Sequence, residues 1–264
     1  MRSALIVLVS LVVFAALAPC WARWTGHPPQ LAFPAFGLRP DGTPVPPGGR
    51  FWLGADGLGR DVLVRAAYAA RTSLLTGFAA TALATFLGVA AGLAGGFLGG
   101  AADAVVARGT EVLLAFPFLL AALAAAVVLG GGPLVVVPVV AVALAAPMAR
   151  AVRARVLHVR ELAYVEAARA LGASPWRVMT GEVLPALAGP VVALAVLLLP
   201  AAVAAESTLA YLGAAQGTSW GAMLADGQEA YRTAWWTLLV PGGLLLAATL
   251  ACAVLGDALT RRLP

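Results

Sequence analysis

Lysine is absent from the sequence, and cysteine and histidine occur only twice each. Without lysine the chain has no phosphate-binding loop of the GxxxxGK[ST] type. Cys20 and Cys252 are too few and too far apart for a disulfide framework or a metal cluster. His27 and His158 lie in different polar segments, which argues against a Ser-His-Asp arrangement. We predict no catalytic residue, no metal site and no cofactor in this chain.

Charged residues are also scarce. They make up 11% of the 264 residues, whereas hydrophobic residues make up 62%, and the mean hydropathy is +0.94. Globular domains contain about 25% charged residues, so a soluble domain could not bury this much apolar surface. Segments of about 20 apolar residues are long enough to cross the hydrocarbon core of a bilayer. The composition predicts an all-α polytopic membrane protein.

The chain divides into three parts. Residues 1–20 form a first span, in which Ala4–Ala18 is either a retained signal anchor or a cleaved signal peptide. Residues 21–72 form a loop rich in proline and glycine, with a short interfacial helix predicted over 60–71. Residues 73–264 form the membrane core, with a polar loop at 150–182. Its five predicted spans are 73–100, 112–129, 134–148, 183–205 and 234–256, with a kink at Pro117 and interruptions at Pro190 and Pro200.

The arginines favour one orientation of these six spans. All 17 basic residues are arginine and the net charge is +5. They cluster between apolar segments and form no stripe with aromatic residues, which argues against a nucleic-acid partner. With both termini in the cytoplasm, ten arginines lie inside and seven outside. This excess on the cytoplasmic side agrees with the positive-inside rule. We therefore predict a multi-pass protein of the inner membrane, with 21–72 outside and 150–182 inside.

Four glycines of the second span recur every four residues. Helix periodicity places such residues on one side of a helix, and small residues allow close helix approach in lipid. We predict a packing face for a neighbouring helix, and we expect Ala84 to face lipid instead. The glycines are Gly88, Gly92, Gly96 and Gly100.

The polar loop carries a recognisable pattern. From Tyr164 the chain reads YVEAARALGASPWRVMTGEVLP, which resembles the EAA loop of ABC-importer permeases. The matching residues are Glu166, Ala167, Ala168, Gly172, Leu184 and Pro185. The isoleucine of the pattern is replaced by Glu182, with Val183 next to it. The resemblance implies that this loop docks onto an ATPase.

Local chemistry supports a projecting loop. Gly172 has the freedom to end a helix in the left-handed conformation, and Ser174 can cap a second short helix that begins at Pro175. Two short helices joined at a glycine would project from the membrane. Arg169 and Arg177 could pair with carboxylates of a partner. An ordinary amphipathic loop with a solvated charged face is the simpler alternative.

A second stretch narrows the family. The segment LGADGLGRD at 53–61, followed by RTSL at 71–74, and the segment SWGAML at 219–224 are similar to those of the second (C-type) permease of dipeptide, oligopeptide and nickel importers. The matching positions include Gly54, Asp56, Gly59, Arg60, Asp61, Trp220 and Gly221. The resemblance covers about residues 50–262.

Membership in this family would imply a set of partners. These are a homologous second permease, two ATPase subunits that bind ATP and Mg²⁺, and an extracytoplasmic solute-binding protein. The chain would form half of a translocation pathway in the lipid bilayer. Its solute would be a peptide, or else nickel or another small solute.

Two other functions remain as alternatives. An ATP-independent channel or carrier would be favoured by an ionisable residue in mid-span, and none occurs in the predicted spans. Glu206 and Asp257 are expected at span boundaries, within reach of water. A membrane-bound enzyme would need a polar constellation, for which Glu206, Asp226 and Glu229 are the candidates.

Overall fold

The computed structural model describes residues 2–261, so Met1 and residues 262–264, including Arg262, lie outside the described chain. Within 2–261 the regular structure consists of twelve α-helices and one π-helical turn at Met179–Val183. The helices are α1 (Arg2–Ala16), α2 (Ala18–Thr25), α3 (Pro34–Gly37), α4 (Val62–Leu98), α5 (Gly100–Ala115), α6 (Phe118–Leu129), α7 (Pro133–Val159), α8 (Ala163–Ala170), α9 (Pro175–Val178), α10 (Leu184–Tyr211), α11 (Trp220–Gly227) and α12 (Trp236–Thr260).

The helices confirm the polytopic class. Four helical segments are long and apolar enough to cross a membrane: α4, α7, the segment Pro175–Tyr211 and α12. Two bent pairs raise the number to six if each pair counts as one span. The bend is 54° between α1 and α2, and 85° between α5 and α6.

The predicted boundary at residue 72 is not a structural break. The interfacial helix expected over 60–71 and the span expected from Ser73 form one continuous helix, α4. Asp61 starts it by accepting hydrogen bonds from the backbone N–H groups of Leu63 and Val64, which is helix N-capping. At about 1.5 Å per residue, its 37 residues span about 55 Å, well over the hydrocarbon thickness of about 30 Å.

Prolines act differently from the predictions in two helices. The expected kink at Pro117 is a full break, because Phe116 before it is extended, as residues preceding proline tend to be. The polar link expected before this span is helical and belongs to α5. In contrast, α10 continues through Pro190 and Pro200 without interruption, because neighbouring helices and side chains can satisfy backbone groups that proline leaves free.

The loops gather at two ends of the bundle. At the outer end, defined by residues 26–61 and 212–235, the turn before α7 meets the segment after α10, and Gln216 N donates to Gly131 O at 2.6 Å. At the inner end, defined by residues 160–183, Arg160 Nη1 donates to Gly96 O in the last turn of α4 at 2.9 Å. The order of the segments along the chain therefore alternates between the two ends. Which end faces the cytoplasm stays a prediction from the arginine distribution.

The glycine face lies against α7. A Cβ at Gly92 would stand 2.6 Å from Ala149 O, and one at Gly96 would stand 2.8 Å from Val156 Cβ. A Cβ at Gly88 would be 3.0 Å from Ala145 O. Two of these three atoms belong to the backbone of α7, so only a residue without a side chain permits this close approach. The neighbour of this face is thus a helix of the same chain.

Two positions differ from the sequence-based expectation. Gly100 has no atoms near its missing Cβ and follows the end of α4, so it does not belong to the face. Ala84 is fully buried and does not face lipid, because the buried side of α4 is wider than the glycine stripe.

We expect Gly92→Leu and Gly96→Leu to push α7 away from α4. Overpacking a tight contact costs about 1–3 kcal/mol, and in lipid no hydrophobic gain offsets lost packing. The unfolding temperature in detergent should fall for both variants. Ala90→Leu, on the exposed side of the same helix, is the matched control. An unchanged unfolding temperature in the Gly92→Leu, Gly96→Leu double variant would show that the contact is dispensable.

Candidate functional site

The inner loop contains two short helices joined at Gly172. Gly172 has φ +84°, a left-handed conformation that favours glycine. Ala173 N donates to Ala168 O at 3.1 Å and Gly172 N donates to Arg169 O at 3.0 Å, the hydrogen bonds of a Schellman motif. Ser174 then caps α9 by accepting from Arg177 N at 3.4 Å. Both local features predicted from the sequence are present.

Three valines anchor this loop to the bundle. Val165, Val178 and Val183 are fully buried and form one cluster with residues of α4, α7 and α10. The partners in that cluster include Leu93, Val156, Val159 and Leu187. Movement of the loop would therefore displace the side chains that it contacts in α4, α7 and α10.

The opposite side of the loop is exposed and apolar in part. Leu171 is 88% exposed, Trp176 71% and Tyr164 43%. The charged and small residues of the EAA pattern surround them: Glu166, Ala167, Arg169, Gly172 and Arg177 are exposed, and Ala168 is half-buried. We call this the docking surface, and define it by Tyr164, Leu171, Trp176 and these six residues. Leu171 and Trp176 were missed in the sequence, although large apolar residues beside a helix-ending glycine are a signal of such a surface.

Arg169 is already engaged within the chain. Its guanidinium lies over the ring of Phe97 in α4, 5.6 Å from the centroid, a cation–π geometry. Pairing of Arg169 with a partner's carboxylate stays a prediction, and it would compete with this contact to α4. Arg177 remains on the docking surface.

The π-helical turn accounts for Glu182 at the isoleucine position. Val178 and Val183 are five residues apart and both point into the core, and Leu187 follows four residues later. In a regular α-helix the residue four after Val178 would point inward. The extra residue of the π-turn moves that role from Glu182 to Val183. Leu184 and Pro185 then begin α10 on its exposed side.

The outer family segment forms a turn that packs on α12. Gly54 has φ +82°, and its missing side chain leaves room for the indole of Trp236, whose Nε1 donates to Ala55 O at 2.9 Å. Asp56 accepts from the backbone N–H groups of Leu58 and Arg60, both at 2.9 Å. Gly59, with φ +76°, completes the turn.

An ion-pair network connects this turn to α11. Arg60 Nε lies 2.7 Å from Asp56 Oδ2, and its Nη2 lies 2.8 Å from Asp226 Oδ2. Arg65, in the first turns of α4, pairs with the same two carboxylates, 2.7 Å from Asp226 Oδ2. Arg65 was missed in the sequence because its partner Asp226 is 161 residues away. The sequence signal that could have revealed Arg65 is its position on the apolar side of a helix, where an arginine needs a buried partner.

Asp61 has a second role beyond capping α4. His27 Nδ1 lies 2.7 Å from Asp61 Oδ2, and both residues are buried. The His27 ring stacks on Phe51 with centroids 4.9 Å apart. The start of the first outer loop is thereby tied to the start of α4.

Trp220 and Gly221 lie where α11 crosses α10. Trp220 is fully buried, and its backbone N–H donates to Ser73 Oγ of α4 at 3.3 Å. Gly221 contacts the backbone of Ser207 so closely that a Cβ there would overlap it. Glycine is therefore required at this crossing.

Glu206 does not lie at a water-filled boundary, contrary to the expectation. It is buried within α10 and accepts a hydrogen bond from the Ser207 hydroxyl at 3.3 Å, and the side chains of Ser73 and Ser219 interact with it as well. Three helical elements meet at these serines, so the carboxyl group joins α4, α10 and α11. Asp257 is exposed, as expected, and pairs with Arg261 at 2.8 Å.

Two of the three candidates for an enzyme site, Glu206 and Asp226, have structural partners instead. Serines surround Glu206, and arginines hold Asp226. Glu229 and Asp226 both line a polar cleft of about 550 Å³ at the outer end. This arrangement holds the outer loop against α11 and offers no paired acid and base.

Known proteins resemble this chain over nearly its whole length. A family model described as binding-protein-dependent transport system inner membrane component matches residues 84–263. The dipeptide transport system permease of Bacillus subtilis is 36% identical over 219 residues, which cover 81% of this chain and 68% of that protein. The oligopeptide transport system permease of Escherichia coli is 34% identical over 260 residues, which cover 97% of this chain and 84% of that protein.

We expect Arg65→Met to destabilise the outer end. The substitution leaves the buried Asp56 with Arg60 as its one charged partner in the described chain, a partial loss of a buried pair, whereas a complete loss costs about 3–5 kcal/mol. The control is Arg108→Met, because Arg108 and Glu111 form an exposed pair and such pairs contribute about 0–1 kcal/mol. Unfolding temperatures in detergent compare the two. Equal, small decreases in both variants would contradict the assignment of Arg65.

Proposed function

We propose that this chain forms half of the translocation pathway of an ATP-driven peptide importer. The chain belongs to the family of binding-protein-dependent transport system inner membrane components. The family consists of multi-pass permease subunits of ABC importers in the inner membrane, and these are not enzymes. Relatives named as dipeptide and oligopeptide permeases support peptides as the solute.

The docking surface is the observation that carries this proposal. A projecting helix–glycine–helix loop, buried on one side by three valines and apolar on the other, is suited to contact a partner protein. Trp, Tyr and Arg are the residues that most often dominate binding at protein interfaces. We therefore infer that an ATPase subunit receives Trp176 and Leu171 in an apolar groove whose rim carries carboxylates facing Arg177.

Importers of this family work with other chains, and we propose their arrangement here. A homologous second permease completes the pathway, and two ATPases dock at the two inner loops. ATP and Mg²⁺ bind to the ATPases. A solute-binding protein delivers the peptide to the outer end, where the first outer loop and α11 are held together by Arg60, Arg65 and Asp226.

Transport follows from movement of the inner loop that carries the docking surface, which we call the docking loop, and of its counterpart in the second permease. ATP binding brings the two ATPases together, and each loop moves with its ATPase. Because Val165, Val178 and Val183 pack against α4, α7 and α10, the movement reaches the spans. The spans then change between inward-open and outward-open arrangements by rigid-body displacement.

We expect Gly172→Val to uncouple ATP hydrolysis from uptake. A β-branched residue is strained at φ +84°, so α8 and α9 would change their relative direction. No atom lies near the missing Cβ of Gly172, so membrane insertion should be normal. Uptake of a radiolabelled tripeptide and ATP hydrolysis are measured in vesicles that contain the complete complex.

The control for this variant is Gly181→Val. Gly181 is also exposed, with no atoms near its missing Cβ, but it has no positive φ. It should retain coupled uptake. Wild-type uptake at normal ATP hydrolysis in Gly172→Val would rule out the docking role of this loop.

A further inference from the structure

We propose that Arg153 and Arg160 are positioning residues that carry the movement of the docking loop to α4 and to the broken span α5–α6. This inference rests on the proposed function, because it assumes that an ATPase moves the loop. It concerns a pair of contacts at the inner end that lie outside the docking surface.

Arg160 ties the loop to the end of α4. It is the first residue after α7, and its Nη1 donates to Gly96 O at 2.9 Å. The last carbonyl groups of a helix have no partner within the helix, and a basic side chain there also interacts favourably with the helix dipole. A displacement of the loop at Arg160 therefore acts on the last turn of α4.

Arg153 ties α7 to the start of α5. Its Nε and Nη2 both donate to the carboxylate of Asp103, with Nη2 at 2.6 Å from Oδ2. Such two-pronged arginine–carboxylate pairs fix direction as well as distance. Asp103 lies in the first turn of α5, where a negative charge is also favoured by the helix dipole. Arg160 is near enough to add to the attraction on Asp103.

Two glycines in the left-handed conformation form the corner between α4 and α5. Gly99 and Gly100, between α4 and α5, have φ +68° and +54°, and no atoms stand near their missing Cβ positions. The tightly packed α4–α7 contact ends just before this corner. The Arg153–Asp103 pair therefore bridges this glycine corner, in addition to the contact that Gly95 of α4 makes with Val106 of α5.

Movement at the start of α5 would displace the whole of α5, as far as the break at Pro117. α5 is a single helix of 16 residues that turns by 85° into α6. A pull on Asp103 shifts this helix as a unit, because helices transmit displacement along their axis. The arginine pair thus links the docking loop to a span that the loop does not contact through its valine cluster.

The test uses pairs of spin labels in the complete transporter, with Cys20 and Cys252 replaced by serine. One pair, Ser174→Cys with Gln216→Cys, reports the docking loop relative to the outer end. The other, Val105→Cys with Gln216→Cys, reports α5; Val105 is 71% exposed. Distances are measured without nucleotide and with ATP and vanadate. In the otherwise unchanged chain we expect both distances to shift.

In the Arg153→Gln, Arg160→Gln variant we expect the Ser174 shift to persist and the Val105 shift to be lost. The retained Ser174 shift also shows that the variant is folded and assembled. Arg160→Lys should restore the contact to Gly96 O, whereas Arg153→Lys should restore little, because lysine cannot form the two-pronged pair. Arg108→Gln, which removes an exposed pair on α5, should leave both shifts unchanged.

The two failures can be told apart. Persistence of both shifts in the double variant would overturn the role of the arginines and leave the proposed function intact. Absence of a Ser174 shift in the unchanged chain would overturn loop movement itself and this inference with it. If the double variant does not assemble, Asp103→Asn removes the charge pair alone, and a retained Val105 shift there would overturn the proposal.

Discussion

The backbones of α4 and α7 touch along Gly88, Gly92 and Gly96, and both ends of the molecule are attached to this contact. In lipid the hydrophobic effect does not drive helices together, so their association depends on close packing. At the outer end, α4 extends beyond the hydrocarbon thickness and presents Asp61 and Arg65 to the first loop and α11. At the inner end, the same two helices receive the valine cluster of the docking loop. One rigid helix pair thereby joins the outer loops to the inner loop for which we propose ATPase docking.

Two groups of buried ionisable residues in the described part of the chain form networks that join separate elements. Arg65 shares two carboxylates with Arg60, and Glu206 interacts with three serine side chains from three helical elements. A polar group without partners in an apolar environment costs several kcal/mol, so each network fixes the relative position of its elements. Glu206 is therefore an ionisable residue that joins separate elements from within α10. It has this role in place of the one that an ionisable residue in mid-span would have in an ion-coupled carrier.

Local chemistry made part of this structure predictable. The helix–glycine–helix loop follows from Gly172 and Ser174, and the packing face follows from the four-residue glycine period. That this face packs against α7 was not predictable, because periodicity indicates which side of a helix is packed but does not identify the helix that packs against it. The burial of Glu206 and the pairing of Arg65 with Asp226 depend on residues far apart in the sequence. The shift of the inward position from Glu182 to Val183 depends on a π-turn that has no clear sequence signal.

Site-directed photo-crosslinking can show whether residues 163–178 bind an ATPase subunit. A photoreactive phenylalanine analogue replaces Trp176 on the docking surface, and Trp24, which is exposed on α2 towards the outer end, serves as the control position. We expect an ATPase adduct from position 176 in membranes of cells that express the complete transporter, and none from position 24. An equal yield of ATPase adduct from both positions, or no adduct from position 176 in an active transporter, would contradict this docking.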